Sequence, residues 1–296
     1  MVGSIRVALP AFLCVLMLVF SSCESPYSKE NDIFGNDEDA NVILQLSAEG
    51  SSRAVQNITE LCSRISVAVF DQEGNKVKSI NQKGSDNGYG TIALSLQEGI
   101  YKLVVIAHNG EGNATISSAD KVTFANNKVT DTYYYYDDLE VGTEKISKTL
   151  TLERIVAKIR YTISDDVLPD NFYRFKFYYL GGSSTFSPHS GFGCVNSRQT
   201  EYRDRNDEGL YELYTMPHEL NDVITKLTVS ALDANDGVIA TKEYSNIEVT
   251  LNEITEIRQN NFFDGVNINT GTASSSAGIT MVAESDWAGT CMTYSY

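Results

Sequence analysis

The sequence is poor in proline, cysteine, tryptophan and basic residues. Its 296 residues include 5 Pro, 5 Cys, 1 Trp and 23 Lys or Arg, against 39 Asp or Glu, which gives a formal net charge of −16. Because a phosphate backbone is bound by clustered cations, this acidic balance without a basic stripe argues against nucleic acid as a partner. The scarcity of proline, together with 17 Tyr and short runs of Val, Ile and Thr, favours strands over long helices. We therefore expect an all-β body.

The sequence also lacks the motifs of common enzyme classes. It contains no nucleophile elbow, phosphate-binding glycine loop or dinucleotide fingerprint. The three histidines are isolated from partners at metal-ligand spacing; they are His108, His189 and His218. Residues 204–209 begin like a calcium loop, but Thr215 stands where a bidentate Glu is required, so we predict an acidic turn. We predict a non-enzymatic protein without metal or cofactor.

The longest apolar run lies at the N-terminus. Residues 7–20 follow Arg6 and are interrupted only by Pro10, which is typical of a signal-peptide core and too short to span a membrane. The run ends in Phe-Ser-Ser-Cys, which resembles a bacterial lipobox. We therefore predict that residues 1–22 are a lipoprotein signal peptide and that Cys23 receives the lipid. The alternative is an ordinary signal peptide followed by an incidental cysteine.

The segment after the lipobox is acidic and poor in apolar residues. Residues 23–41 are therefore predicted to form a flexible tether. The part beyond it keeps three cysteines, which allow at most one internal disulfide and are too widely spaced for paired zinc ligands. We expect buried free thiols at Cys62, Cys194 and Cys291.

Apolar and polar residues alternate in several segments of the body. Val42, Leu44 and Leu46 show the period of two that places one face of a strand in a core. The same period recurs at residues 65–69 and 92–96. These segments predict antiparallel strands joined by glycine-containing turns.

The strand pattern recurs later in the chain. Residues 67–71 and their turn resemble residues 229–233, and residues 92–98 resemble residues 247–253. We interpret this similarity as two tandem β-sandwiches of residues 42–148 and 149–296, although generic hairpins would also produce it.

Two aromatic features invite a structural interpretation. In the run of four tyrosines at residues 133–136, alternation along a strand would bury two rings and leave two at the surface. Trp287 is predicted to close the core of the second sandwich. Neither feature is interpreted as a ligand platform.

Several of these features together resemble the fimbrillin-associated anchor and minor pilin family of Bacteroidetes. They are Cys23 in its lipobox, the strand and glycine turn at residues 65–74, the return strand at residues 99–103, and the start of a second half at residues 152–159. The resemblance covers most of the mature chain and implies two transthyretin-like, Greek-key β-sandwiches. It also implies an outer-membrane lipoprotein that assembles into thin pili by strand exchange.

The resemblance further implies a maturation step. In such pilins a trypsin-like protease cuts after an arginine behind the first strand, and a neighbour's segment replaces that strand. Arg53 stands at this place, after the strand that carries Val42, Leu44 and Leu46. An uncut surface arginine is the alternative. Only nine residues follow Trp287, which favours an anchor or tip subunit over a stalk subunit.

The sequence thus predicts a non-enzymatic fimbrial subunit in pilus assembly and cell adhesion, lipid-anchored and exposed at the outer membrane or in the fimbrium. Its predicted partners are other fimbrial subunits, the outer membrane and ligands on host or bacterial surfaces. The alternatives are a glycan-binding lipoprotein of a polysaccharide-uptake system and a secreted hydrolase. The glycan-binding alternative would use Tyr178, Tyr179, Tyr202 and Tyr211.

Overall fold

The computed structural model describes residues 39–49, 55–265, 287 and 293–296. This part of the chain is nearly all β, which confirms the predicted fold class. The helical residues described are one turn, α1 (Ile58–Leu61), and a 3-10 turn (Ala125–Asn127). The strands are β1 (Val42–Glu49), β2 (Val55–Asn57), β3 (Arg64–Phe70), β4 (Lys76–Lys83), β5 (Thr91–Leu94), β6 (Gly99–His108), β7 (Thr115–Ser118), β8 (Lys121–Thr123), β9 (Thr132–Val141), β10 (Ile146–Arg154), β11 (Ala157–Ser164), β12 (Arg174–Leu180), β13 (Thr185–Ser187), β14 (Phe192–Gly193), β15 (Arg198–Asp204), β16 (Leu210–Thr215), β17 (Asn221–Leu232), β18 (Val238–Thr250), β19 (Ile254–Asn260) and β20 (Thr293–Ser295).

The first half of the chain forms two layers of strands around one core. β1 lies between β10 on one side and β5 and β2 on the other, and the second layer has the order β9-β6-β3-β4. Strand pairing joins the two layers where the end of β10 meets β9, at Glu153 and Arg154. Alternating apolar residues of both layers fill the space between them, as expected for half-buried strands. The core includes Val42, Leu44, Leu46, Ile65, Val67, Val69, Leu103, Val105, Leu150 and Leu152.

The second half has two four-stranded sheets, ordered β16-β11-β19-β20 and β15-β12-β17-β18. Aromatic side chains fill its core; they include Tyr161, Phe175, Phe177, Tyr179, Tyr211, Phe262 and Phe263. The hydroxyl groups of Tyr161 and Tyr244 lie 2.7 Å apart within it. A buried tyrosine therefore keeps a hydrogen-bond partner, which avoids the cost of an unpaired hydroxyl.

Both halves repeat one topology, but the sequence similarity paired the wrong strands. By order and pairing, β1, β3, β4, β5, β6, β9 and β10 correspond to β11, β12, β15, β16, β17, β18 and β19. Residues 67–71 lie in and just after β3, whose counterpart is β12, whereas residues 229–233 lie in and just after β17. Residues 92–98 start in β5, whose counterpart is β16, whereas residues 247–253 start in β18. Strand alternation followed by an Asp-Gly turn is common to any hairpin, so it did not identify equivalent positions.

A third sheet joins the two halves. Its order is β14-β13-β8-β7, so it combines a hairpin from the first half with one from the second. The joining pairs are Thr185 with Thr123 and Phe186 with Val122. This sheet covers the outer face of β3 and β6, and a third core forms beneath it from Ala68, Phe70, Val104, Ile106, Phe186, Met216, Ile254 and Trp287, among others. The described residues of both halves belong to one compact unit.

The predicted boundary between residues 148 and 149 falls inside β10. Leu150 and Leu152 continue that strand and pack in the first core, so the first half extends to Arg154. The second half starts at Ala157, after the two connecting residues Ile155 and Val156. The break predicted near Lys148 placed the last strand of the first half in the second.

Candidate functional site

The first strand lies in the interior of its layer and is paired along both edges. On one side β1 runs parallel to β10, from Val42 opposite Ile146 to Ala48 opposite Leu152. On the other side β5 pairs with its first half and β2 with its second half. Removing β1 would therefore leave a groove with unpaired backbone groups on both walls.

The inward face of β1 is apolar and deeply buried. Val42 and Leu44 are 0% exposed and Leu46 is 6% exposed, while Gln45 on the opposite face lies in solvent. These three side chains contribute to the first core. The alternation in the sequence placed them on one face of a strand, and the structure places them there.

The start of β1 is fixed by a paired side-chain amide. Asn41 donates from Nδ2 to the Leu96 carbonyl at 2.8 Å and accepts the Leu96 amide at Oδ1 at 3.0 Å. Its own carbonyl accepts the Ile146 amide at 2.8 Å. Ala40 is buried as well. The folded body therefore includes at least Ala40 and Asn41, which the prediction assigned to the tether.

The predicted modification sites lie outside the described residues. Cys23 precedes residue 39, and Arg53 belongs to the connection between β1 and β2. Lipidation of Cys23 and cleavage after Arg53 therefore stay predictions. Among the described residues, none forms a helix long and apolar enough to cross a membrane.

The four tyrosines named for glycan binding separate into two pairs. Tyr179 is 0% and Tyr211 2% exposed, both within the second core, so neither ring can contact a saccharide at the surface. Tyr178 and Tyr202 lie on the outer face of the same sheet, where Tyr178 is half-buried and Tyr202 is 45% exposed.

The histidines have separate structural environments. His108 is buried against the Phe124 ring, and burial, followed by the Arg64 charge, lowers its pKa to about 4. His218 lies with Nδ1 2.8 Å from the Asp222 carboxylate. His189 contacts the Tyr136 ring. Within the described part of the chain no group of His, Cys, Asp and Glu could hold a metal ion.

Two further predictions from the sequence concern residues that the structure describes, namely the cysteines and the loop of residues 204–209. Cys62 is buried, whereas Cys194 is exposed, so the expectation of a buried thiol is wrong for Cys194; both are free, and Cys291 lies outside the described residues. Residues 204–209 join β15 to β16 as a turn, in which the Asn206 side chain bonds both backbone groups of Leu210.

The tyrosines of β9 pack on both faces of the sheet, with Tyr133 buried and Tyr134, Tyr135 and Tyr136 half-buried. Tyr133 and Tyr135 pack against the first core, while Tyr134 and Tyr136 pack against the third. The expectation of two surface rings is wrong because the third sheet covers the outer face of this layer. The edge of the Phe186 ring meets Tyr134 with centroids 5.0 Å apart.

Trp287 is buried, but in the third core between the halves and not in the second core as predicted. Its ring lies 4.1 Å from the Arg154 guanidinium and 4.8 Å from the Lys158 ammonium group. Arg154 also lies over the Tyr133 ring at 4.8 Å. We call Arg154, Asp131, Tyr133, Lys158 and Trp287 the junction cluster.

Arg154 was not singled out from the sequence, although a signal was present. It follows Leu150 and Leu152 at a spacing of two, so the alternation of β10 places it on the inward face. Its guanidinium makes two contacts with the Asp131 carboxylate, Nε–Oδ1 at 2.8 Å and Nη2–Oδ2 at 3.1 Å, and donates to Asn252 Oδ1 at 3.1 Å. An arginine at an inward position indicates a buried ion pair.

One protein family and several solved structures are similar to this chain. The chain matches the family of fimbrillin-A associated anchor proteins Mfa1 and Mfa2 over residues 27–283. No curated protein matches it. Among solved structures, the fimbrial anchor protein Mfa2 from Porphyromonas gingivalis is 12% identical, with 68% of this chain and 80% of that chain covered and a TM-score of 0.37. The tip fimbrial protein Mfa3 from the same organism is 10% identical, with 73% and 94% covered and a TM-score of 0.37.

A fimbrial assembly protein from Parabacteroides distasonis is 15% identical, with 73% of this chain and 89% of that chain covered and a TM-score of 0.39. The family match along most of the sequence shows that this all-β protein is of the fimbrial class. The chain belongs to the family of fimbrillin-A associated anchor proteins, as the lipobox and strand patterns predicted.

Proposed function

We propose that this protein is a non-enzymatic fimbrial subunit of the anchor or tip type, which acts in pilus assembly and cell adhesion. The observation that carries the proposal is the family match over residues 27–283, which extends through both halves. The description of that family as anchor proteins gives the kind of partner, namely other fimbrial subunits.

We propose that these partners bind by exchange of the first strand. β1 is the first described strand of the chain and lies between paired neighbours on both sides, so a strand from another subunit could replace it without rearranging the layer. Burial of Val42, Leu44 and Leu46 contributes about 1.5–3 kcal/mol each, or roughly 5–9 kcal/mol for the three. A domain is stable by only about 5–15 kcal/mol, so an empty groove would have to be refilled.

Two processing states follow from the same proposal. Cleavage after Arg53 would release β1 together with the lipid on Cys23 and give a processed, strand-accepting subunit. Without cleavage, Cys23 would keep the protein on the outer membrane as an anchor, since several acyl chains give lasting attachment at about 0.8 kcal/mol per buried methylene.

The C-terminal strand supports a terminal position in the fimbrium. β20 pairs with β19 of the same chain, from Glu256 opposite Thr293 to Arg258 opposite Ser295. Tyr294 also accepts the Glu248 amide at its hydroxyl at 3.1 Å. While these bonds persist, β20 is engaged within its own subunit and is not free to fill the groove of another.

The test is the intact mass of the protein recovered with fimbriae sheared from the cell envelope and from the remaining envelope. A chain that begins at Ala54 identifies a processed subunit, and Arg53→Ala should abolish that species, whereas Arg205→Ala in another loop should not. A chain that begins at an acylated Cys23 identifies a retained anchor. Absence of the protein from fimbriae and from fimbria-bearing envelope would refute the proposed function.

A further inference from the structure

The two halves differ at one pair of corresponding sheet faces, which is covered by further strands in the first half and, among the described residues, is uncovered in the second. In the first half, the outer face of β9-β6-β3-β4 is apolar and carries the third sheet, with Phe70, Val104 and Ile106 beneath it. In the second half, the corresponding face of β15-β12-β17-β18 consists of exposed and half-buried side chains. We call this surface the open face; it includes Arg174, Lys176, Tyr178, Thr200, Tyr202, Thr228, Ser230 and Thr241.

Two tyrosines flank a lysine on the open face. Lys176 lies on β12 with Tyr202 opposite it on β15 and Ser230 opposite it on β17, and Tyr178 is the next outward residue along β12. Side chains at such positions on adjacent strands are in contact range. Lys176 therefore has both rings as neighbours on this face, Tyr202 across the strands and Tyr178 along β12.

The Tyr202 ring is held in place by its neighbours. The Arg174 guanidinium lies over it at 4.7 Å, and Asp236 Oδ1 accepts from Nε and Nη2 of Arg174 at 3.1 and 2.6 Å. Arg174 is thus held between the Tyr202 ring and the Asp236 carboxylate, while Tyr202 stays 45% exposed. An exposed ring that is ordered before binding costs less conformational entropy on association.

Lys176 differs from the other cations of the central strands of this face. Arg174 pairs with Asp236, and Lys226 pairs with Glu243 at 2.6 Å. Lys176 has no ion-pair or hydrogen-bond partner among the described residues. A lysine without a carboxylate partner, beside two aromatic rings, is an attractive position for an anion.

We propose that the open face binds an acidic saccharide. A sugar ring would lie on Tyr202 and Tyr178 through its apolar face, its carboxylate would meet Lys176, and Thr200, Thr228 and Ser230 would bond its hydroxyl groups. This function goes beyond the proposed fimbrial role and does not depend on it.

The chemistry of the open face favours a saccharide over a protein partner. The centres of protein interfaces are depleted in charged residues and enriched in large apolar side chains. Here the central strands present Lys176, Thr228 and Ser230 beside the rings. The outer strands present Thr200, Thr241 and the Glu243 carboxylate, which accepts from the Thr228 hydroxyl at 3.4 Å. A few polar groups beside aromatic surfaces are typical of sites that orient a small polar ligand.

The experiment is titration calorimetry of the full mature chain with polygalacturonate, and with the same polymer after methyl esterification of its carboxyl groups. We expect binding to the acidic form that is about tenfold or more weaker for the esterified form, for Lys176→Gln and for Tyr202→Ala. Binding should also weaken at higher ionic strength, because salt screens the charge interaction. Matched controls are Lys83→Gln on the β4 edge and Tyr296→Ala, which should bind like the parent.

Three results would overturn the inference: no heat with the acidic polymer, equal binding of the esterified polymer, or unchanged binding by correctly folded Lys176→Gln and Tyr202→Ala. Unfolding midpoints followed by Trp287 fluorescence establish that the variants are folded. Loss of association with fimbrial subunits in these variants, without any saccharide binding, would identify the open face as a protein interface and also refute the proposal. Processing at Arg53 is measured separately, so failure here leaves the fimbrial proposal untouched.

Discussion

At the scale of single residues, the junction cluster shows how a buried charge is accommodated. The Arg154 side chain is 3% exposed and its partner Asp131 20% exposed, and the guanidinium lies between the rings of Tyr133 and Trp287. Nη2 of Arg154 also donates to the Tyr133 hydroxyl. Such a pair adds little net stability over apolar residues, but removal of one partner leaves the other charge uncompensated.

Arg154→Met should therefore be strongly destabilising. We expect a loss of roughly 2–4 kcal/mol in unfolding free energy, below the full value for a buried pair because Asp131 keeps some solvent contact. Urea unfolding followed by fluorescence of the single tryptophan measures it. The double variant Arg154→Met with Asp131→Leu should regain much of the loss. Lys102→Met, which breaks an exposed pair with Asp138, should change the unfolding free energy far less than Arg154→Met. Equal losses of unfolding free energy for Arg154→Met and Lys102→Met would contradict the interpretation of Arg154 and Asp131 as a buried ion pair.

Sequence reasoning succeeded for residues whose environment is set by their own strand. Val42, Leu44 and Leu46 were placed on one face by alternation, and they are buried there. Trp287 was placed in the wrong core because its position depends on Arg154 and Lys158, which are distant in sequence. No local pattern specifies which core receives a side chain from a C-terminal segment.

At the scale of elements, β1 combines high burial with pairing on both edges. Leu44 is fully buried, whereas Gln45 of the same strand is exposed. Leu44→Ala should cost about 2–5 kcal/mol, because the cavity adds to the lost transfer free energy. Gln45→Ala should be within about 0.5 kcal/mol of the parent, as for other surface substitutions. Chemical unfolding of both variants tests this, and a mild Leu44→Ala would show that β1 contributes little to the first core.

The strands of the third sheet are among those that sequence reasoning missed. β7, β8, β13 and β14 have four residues or fewer, so they are too short to display a period. They pair with one another across the two halves, and Phe186 of β13 completes the core beneath them. Their existence depends on contacts between distant segments, which strand propensity does not encode.

At the scale of the whole molecule, the predicted membrane attachment depends on the thiol of Cys23. Cys23→Ala should abolish incorporation of a labelled lipid precursor and leave an uncleaved or mislocalised form, while the unfolding midpoint of the body stays unchanged. Cys194→Ala, which removes an exposed thiol of the body, should keep full labelling. Undiminished labelling of Cys23→Ala would disprove the lipoprotein assignment.

The all-β class and the family followed from the sequence, but the position of the boundary between the halves did not. The boundary was misplaced because β10 of the first half and β11 of the second are separated by only Ile155 and Val156. Those two residues are themselves buried in the third core, so no polar linker marks the transition. A domain boundary can be recognised in a sequence where a flexible linker separates the two domains. Here the connecting residues are themselves packed in a core.

The shared third sheet also constrains how such a protein can diverge. A repeated topology is the pattern that duplication of one ancestral sandwich would leave, yet the hairpins that meet in this sheet lie between different strands of each copy, β6 and β9 in one and β12 and β15 in the other. If recombination exchanged one half between related proteins, the third sheet would combine two hairpins that had not evolved to pair with each other. We therefore expect the two halves to be inherited as one unit, with more variation among relatives on the open face than in the third sheet.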